Sequence, residues 1–546
     1  MNVIKEIYRF TNRFIKEYRT KILGYVFAGM LLYVITAVIP LLVGRFIDSF
    51  TGSVSVNSII VLCACFLGLS VLQVILMYYV KVEGTKISVG ASSQMKSKFY
   101  LHMQKVSPLN NRIDDPSALT SRVNNQCEYL IMFLCNFGMQ FPGKCVTIAI
   151  IYIYLLIKNW PIAIVALLVI PVLAFFHKKT RDVIYETSTD KERARNHFFA
   201  IMNEQLVKMP LIRMHGIFGF EQERLRDAQK DLQDAAVREQ RKSFKYTLFG
   251  QNTDVFLKIF LFVFGGIFIM KGKITVGSFT VLYSYLGILS DNLSYFIDLS
   301  QEAYQYKAFM DGLKEIDQQR EENIGAETIK EVNTIEVKGM NFGYSDDNVL
   351  YRDYDNRFEK GKIYCLAGDN GAGKSTLIKN IVGIFIDATG ESVFYDNKSI
   401  SALDIYDVRN RLFGVCEQEP DMLDDTIYNN LLYMKDEVVD FVRLKKICEK
   451  LELFDDIGSV EEFKEFIMSR NALELSGGQK QKFALVRAIY KNPSVLVLDE
   501  PSSALDKSGT DKLKLLLNEL KEDKIILMIS HDLDMIEFAD QIVKVA

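Results

Sequence analysis

The sequence predicts a two-part chain: an α-helical six-span transmembrane domain over residues 1–316, then an α/β P-loop domain over 332–546, joined by a linker at 317–331. Three observations predict it. Apolar stretches of membrane-crossing length recur through the first 300 residues and not beyond. After residue 332, short β-rich runs alternate with helical stretches, the pattern of a largely parallel sheet. Between them, Gly368-Asp369-Asn370-Gly371-Ala372-Gly373-Lys374-Ser375 satisfies the G-x-x-x-x-G-K-[ST] pattern in full.

Composition narrows the function classes. A chain of 546 residues is too long for one core, and a net charge of −3 argues against a strongly basic nucleic-acid binder. The eight cysteines are scattered, with no C-x-x-C pair and no nearby histidines, so they suggest neither a zinc site nor a disulfide framework. Lys5, Arg9, Arg13, Lys16, Arg19 and Lys21 precede the first apolar run as in a signal peptide. That run is long enough to span and lacks a small-residue cleavage site after it, so we read it as retained.

The predicted spans are 22–45, 58–80, 130–157, 161–177, 253–270 and 279–300, the third and fourth joined by a tight turn at Lys158-Asn159-Trp160-Pro161. Lys and Arg crowd the segment before the first span, Lys81 to Arg122, and His177 to Lys245. The positive-inside rule makes that side cytoplasmic and places both termini there. The two long cytoplasmic segments lack Gly/Pro clusters and read as helices continuing below the membrane, closed by turns near 109–117 and 208–217. Lys258 and Asp291 are ionisable residues inside apolar runs; they are expected either to pair or face a shared polar path, or, if the spans end elsewhere, to snorkel at the interface. From Asp317 to Glu331 the chain turns polar and helix-breaking, which marks the linker.

In the second part, the apolar run Ile363–Ala367 supplies a buried strand and Thr376–Val382 a helix, with the glycine-rich loop between them. Successive backbone N–H groups of such a loop point at phosphates, Lys374 adds a cation, and the Ser375 hydroxyl can ligate Mg²⁺. Val495-Leu496-Val497-Leu498-Asp499-Glu500 reads as a strand ending in two acids. Asp499 is thereby placed where phosphate-bound Mg²⁺ sits, and Glu500 where it can polarise an attacking water.

Leu475-Ser476-Gly477-Gly478-Gln479, with a helix after it, makes the domain resemble the nucleotide-binding domain of the ATP-binding cassette (ABC) family, an ABC ATPase of the P-loop NTPase class. The remaining motifs follow in family order. Tyr344 falls at the adenine-stacking aromatic, and Gln418 in Val415-Cys416-Glu417-Gln418 at the Q-loop. Ser503-Ala504-Leu505-Asp506 matches the D-loop, and His531 in Ile529-Ser530-His531-Asp532 the switch histidine. The resemblance implies Glu500, His531 and Gln418 as catalytic, with Ser375, Gln418 and Asp499 on Mg²⁺. It further implies that Tyr344, the loop from Gly368 to Thr376, Ser476 to Gln479 and Asp506 contact ATP. In the family the signature faces a nucleotide bound by the opposite subunit, so one P-loop and one signature per chain imply at least two chains.

Six spans ahead of one such domain are similar to an exporter half-transporter. Pro116–Arg122 lies where these proteins have a first coupling segment, Met209–Gly219 resembles the second, and Gly272–Gly277 the stretch before the sixth span. Ser469–Ala472 departs from the family's Gly-Glu-x-Gly, the chain stops at Ala546 without the usual extra hairpin, and no cysteine-protease domain precedes the spans. The expectation is an ATP-driven exporter in the cytoplasmic membrane, a homodimer with a heterodimer as alternative, in contact with membrane lipids. It would move a hydrophobic drug, a lipid or a small peptide, and bind no nucleic acid. A nucleotide-gated channel or regulator is the second reading.

Overall fold

Helix occupies nearly all of the first 317 residues. The structure, a computed structural model, describes residues 2–51, 56–109, 116–345, 348–369, 371–433 and 439–545; the side chains of 159–185, 245–254 and some others lie outside that description. The chain divides into two units, one formed by Met1–Gln104 with Ile113–Gln318 and the other by Lys105–Arg112 with Gln319–Ala546.

In the first unit α1 (Asn2–Ile15) is amphipathic. Its buried Ile4, Ile7 and Phe14 share a core with Met95 and Phe99 of α3 (Val56–Lys105), Val123 and Leu130 of α4 (Pro116–Val207), and Met310 and Leu313 of α7 (Val276–Asp317). The remaining helices are α2 (Arg19–Thr51), α5 (Met209–His215) and α6 (Phe218–Met270). On α3, Leu67, Val74 and Tyr78 are more than half exposed. A continuous apolar face of that kind is unfavourable in water and suits lipid. Among the described residues, helices at Val3–Phe50, Asn57–Lys105 and Arg122–Lys158 are long and apolar enough to cross a membrane, and Lys258–Met270 is a shorter apolar helix.

Where the sequence predicts a turn at Lys158–Pro161, α4 carries helical backbone without a break. Tyr154 packs on Tyr285, 5.2 Å between ring centroids; near it Tyr283 packs on Phe262 of α6 at 5.7 Å, and Lys191 pairs with Glu239 of α6 at 2.6 Å. The expected turn near 208–217 is the short helix α5, opened by Pro210 in its first turn and ended by Gly216 at φ +63. The expected turn near 109–117 falls mostly at 110–115, outside the described residues, and the first expected coupling segment, Pro116–Arg122, is the helical start of α4.

The second unit holds two sheets. β1 (Thr334–Ser345) and β2 (Asn348–Glu359) pair antiparallel. β3 (Lys362–Ala367) then leads into α8 (Lys374–Ile381) and α9 (Ile386–Thr389). β4 (Val393–Tyr395) and β5 (Lys398–Ser399) complete an antiparallel sheet of order β2-β1-β4-β5. After α10 (Ile405–Leu412) and β6 (Phe413–Cys416) come four helices, α11 (Ile427–Leu432), α12 (Phe441–Lys450), α13 (Val460–Ser469) and α14 (Gly477–Tyr490). β7 (Val495–Asp499), α15 (Lys507–Leu520), β8 (Ile525–Ile529), α16 (Leu533–Phe538) and β9 (Gln541–Lys544) complete a parallel sheet of order β6-β7-β8-β3-β9. The expected parallel sheet is present, and the antiparallel one is an addition that the alternating polar run of β2 conceals.

The central strands are apolar throughout because helices cover both faces. In β7 Val495 to Leu498 are buried, and in β8 every residue is. Register pairs Asp499 with Ile529 and Leu366 with Ile529, so β3, β7 and β8 end level at one edge. Leu498 is fully buried one residue before that edge. Leu498→Ala should destabilise the unit by about 2–5 kcal/mol, seen as a lower melting temperature of the detergent-solubilised protein; an unchanged melting curve would contradict this packing.

Candidate functional site

The loop between β3 and α8 is built at this level edge. Gly373 stands at φ +95, and a Cβ there would lie 2.7 Å from the Tyr351 hydroxyl, which donates to Gly373 O at 2.7 Å. Only glycine suits both demands. Asn370 lies outside the described residues. Among helices of eight or more residues in this unit, α8 alone begins without a side-chain cap; α10, α12, α13, α14 and α15 start on Asp404, Asp440, Ser459, Ser476 and Asp506. Its first N–H groups are thus left for an anion, at the positive end of the helix dipole.

Lys374 is buried, and its ammonium folds back to donate to Gly368 O at 2.7 Å and Asp369 O at 3.0 Å. The next residue, Ser375, donates to Asp499 Oδ2 at 3.3 Å, which joins the P-loop to the end of β7. Burial pushes the Asp499 carboxyl above its ordinary range, while the Ser375 hydroxyl and the charges of Lys379, Lys374 and His531 pull it down. An oxygen-only pair with an unfavourable anionic charge fits a hard divalent cation.

Glu500 is held at φ +53, a strained conformation for a non-glycine residue. Four bonds hold it: its N–H donates to Ile529 O at 3.0 Å, and its carbonyl accepts from Ser503 N at 3.2 Å, Ser503 Oγ at 2.9 Å and Gln481 Nε2 at 3.3 Å. The strain aims the carboxylate at His531, whose Nε2 lies 3.6 Å from Glu500 Oε1. Gln418 is exposed on the bend two residues beyond β6, at the same edge of the sheet as Asp499. A cleft of about 840 Å³ runs from Ser375 and Asp499 past Glu417 to Arg487. Tyr344 is half exposed; its hydroxyl lies 3.0 Å from Thr376 Oγ1, and its ring packs edge-on against Phe342 and Phe385.

The signature residues lie apart from this cluster. Ser476 and Gln479 form a capping box at the start of α14, in which Gln479 N donates to Ser476 Oγ at 3.3 Å and Ser476 N to Gln479 Oε1 at 3.0 Å. Gly477 and Gly478 are exposed. No hydrogen bond joins 476–479 to 368–376 among the described residues. Asp506 caps α15, accepting from Gly509 N at 2.7 Å. In the helical unit, Asp291 lines a cavity of about 470 Å³ with Asn136, Gln140, Tyr295, Asp298 and Glu302. Lys258 lies over the Tyr283 ring at 5.9 Å, and no ion pair joins it to Asp291 among the described residues. On the residue after Asp291, Asn292 Oδ1 accepts from the Lys144 ammonium at 3.2 Å. Tyr351 and Gln481 carry no motif visible in the sequence, because each acts through a backbone carbonyl; Ser503 lies in the D-loop stretch, but its bond to the Glu500 carbonyl cannot be read from that motif.

Comparison with known proteins agrees with this geometry. The model of the ABC transporter transmembrane region matches residues 22–293, and that of the ABC transporter matches 351–503. The chain belongs to the ABC transporter family. It is a multi-pass membrane protein of the exporter half-transporter type, with one membrane region and one ATPase domain fused, and ATP hydrolysis in it is coupled to transport. It is 24% identical to the uncharacterised ABC transporter ATP-binding protein YwjA of Bacillus subtilis, over 93% of this chain and 88% of that one. It is 25% identical to the ATP-dependent lipid A-core flippase of Paraburkholderia xenovorans, over 78% and 71%. A solved bacterial Atm1-family ABC exporter with ATP bound shares the fold at a TM-score of 0.83 and 18% identity, covering 97% of this chain and 94% of that one.

Asp499 supplies a test of the site's electrostatics. Its raised pKa means that burial disfavours the ionised form relative to the unfolded chain, so the resulting stabilisation is present at low pH and lost as pH rises through the carboxyl's folded value. Asp499→Asn, neutral at every pH, should therefore melt higher than the parent at pH 7 without nucleotide. The gain should vanish as pH falls through the carboxylate range; equal melting at pH 7 would contradict the burial described.

Proposed function

We propose that the protein is a dimeric exporter that moves a drug, a lipid or a small peptide outward across the cytoplasmic membrane, using ATP bound between two copies of its nucleotide domain. A homodimer is the assembly we favour. The single observation that carries this reading is the uncapped α8, next to a buried lysine and a carboxylate–hydroxyl pair, at one edge of a parallel sheet. In that arrangement the N–H groups of Gly371 to Thr376 and the Lys374 ammonium take the phosphates, and Tyr344 offers a free ring face to adenine. Ser375, Asp499 and Gln418 would hold Mg²⁺, which supplies charge neutralisation of the phosphates when bound.

Hydrolysis falls to Glu500, which accepts the proton of the attacking water, with His531 placed to fix the carboxylate and to donate to the γ-phosphate. Ser476, Gly477 and Gly478, exposed at a helix start and unconnected to their own P-loop, would close on the γ-phosphate held by the second chain. ATP then binds the closed pair better than the open one, and that difference drives the change in the membrane helices. We propose six spans, with the nucleotide domain at 332–546 and both termini cytoplasmic. The lipid A-core flippase relative supports an amphipathic cargo.

Glu500→Gln should keep ATP binding, measured by filter retention of labelled nucleotide, and lose hydrolysis by roughly 10²–10⁴-fold. Hydrolysis within threefold of the parent would remove Glu500 from the proposed role.

A further inference from the structure

The C-terminal end of α8 is held as closely as its N-terminal end is left open. The helix ends at Val382 and Gly383, the latter at φ +80, with Ile384 N donating back to Lys379 O at 2.8 Å. Terminal carbonyls of this kind need donors, and a cation is favoured there by the helix dipole. Arg409 of α10 provides both: its Nε donates to Val382 O at 2.9 Å and its Nη2 to Gly383 O. The third nitrogen, Nη1, lies 3.7 Å from Glu322 Oε2, and the two side chains are only 18% and 7% exposed.

Glu322 belongs to the segment that follows α7, and its backbone is paired in turn. Its N–H donates to Lys105 O at 2.9 Å, Ser107 N donates to Arg320 O at 3.4 Å, and Val106 forms an antiparallel bridge with Glu321. Lys105 is the last residue of α3, and Val106 and Ser107 are buried. The segment is fixed to the nucleotide unit beyond Glu322 as well: Asn323 N donates to Asp387 at 3.0 Å, and Glu327 exchanges backbone bonds with Ala402 and Asp404 at 3.0 and 2.8 Å.

We infer that Arg409 and Glu322 are positioning residues that couple the P-loop helix to the cytoplasmic end of α3. This rests on the reading of α8 as the phosphate-binding helix. Phosphate taken up at the N-terminus of α8 pulls on a rigid element of two turns whose far end is bonded to Arg409. From there a buried ion pair and a two-bond backbone bridge lead to Lys105. A buried charge pair tolerates loss of one partner poorly, because the remaining charge is left unpaired in an apolar setting. The pair therefore makes the two segments move together, and neither residue belongs to the P-loop or to the Asp499–Glu500 pair.

Hydrogen exchange of the full-length protein in detergent, with and without ATPγS and Mg²⁺, tests this. In the parent, nucleotide should slow exchange in the P-loop and also change it at the amides of Ser107 and Glu322. In Arg409→Gln and in Glu322→Gln the P-loop response should persist while the response at Ser107 and Glu322 is lost; Arg409→Lys should restore part of it. A purely structural role would raise exchange at both segments equally with and without nucleotide. The coupling is overturned if the remote response survives both variants, or is absent from the parent while the P-loop responds. If the P-loop itself does not respond in the parent, it is the nucleotide-site reading that fails. Should Arg409→Gln not fold, Glu322→Gln carries the same test.

Discussion

The structure of the nucleotide unit depends on one constraint: three parallel strands, β3, β7 and β8, end level at one edge of a dry sheet. Everything with charge in the candidate site is delivered there by chain continuity. β3 delivers the P-loop and the uncapped start of α8, β7 delivers Asp499 and Glu500, and β8 leads to His531. Burial of the strands makes their ends poor places for unpaired charge. The Lys374 ammonium accordingly folds onto its own loop carbonyls, and the Asp499 carboxyl is held above its ordinary range. The edge is thus an arrangement in which an anion and a hard cation each relieve a cost already present.

The chemistry at the edge was legible in the sequence because it depends on residue types at fixed spacing along one chain. Lys374 and Ser375 follow a turn that requires glycine, and Asp499 follows four apolar, partly β-branched residues that read as a buried strand. What could not be read is what acts across the chain through main-chain atoms. Tyr351 reaches Gly373 O from a strand whose alternating polar sequence looks unremarkable, and Ser503 and Gln481 hold the strained carbonyl of Glu500. In the helical unit, hydropathy located apolar helices but not their partners. Lys258 and Asp291 both fall inside apolar runs of the sequence, yet Asp291 lies on a polar cavity and Lys258 over Tyr283. Helix rotation decides which side chains meet, and an apolar span conceals it.

The site is also divided. The signature residues sit on α14, with Gln479 used for capping, and have no bond to the P-loop of the same chain. A loop of exposed glycine amides without a ligand in its own chain suits a surface completed by a second copy. In the proposed mechanism that division would let ATP act on geometry as well as chemistry, since closing the two halves on the phosphates would be the step that moves the membrane helices.

The most direct measurement is of that closure. In a Glu500→Gln chain freed of its eight cysteines, one cysteine at Asp369 and one at Ser476 would be joined by a short bifunctional thiol reagent, with the protein in lipid. The account predicts that ATP with Mg²⁺ strongly increases crosslinks between chains, from P-loop to signature. Equal crosslinking with and without nucleotide, or crosslinks within one chain alone, would contradict it.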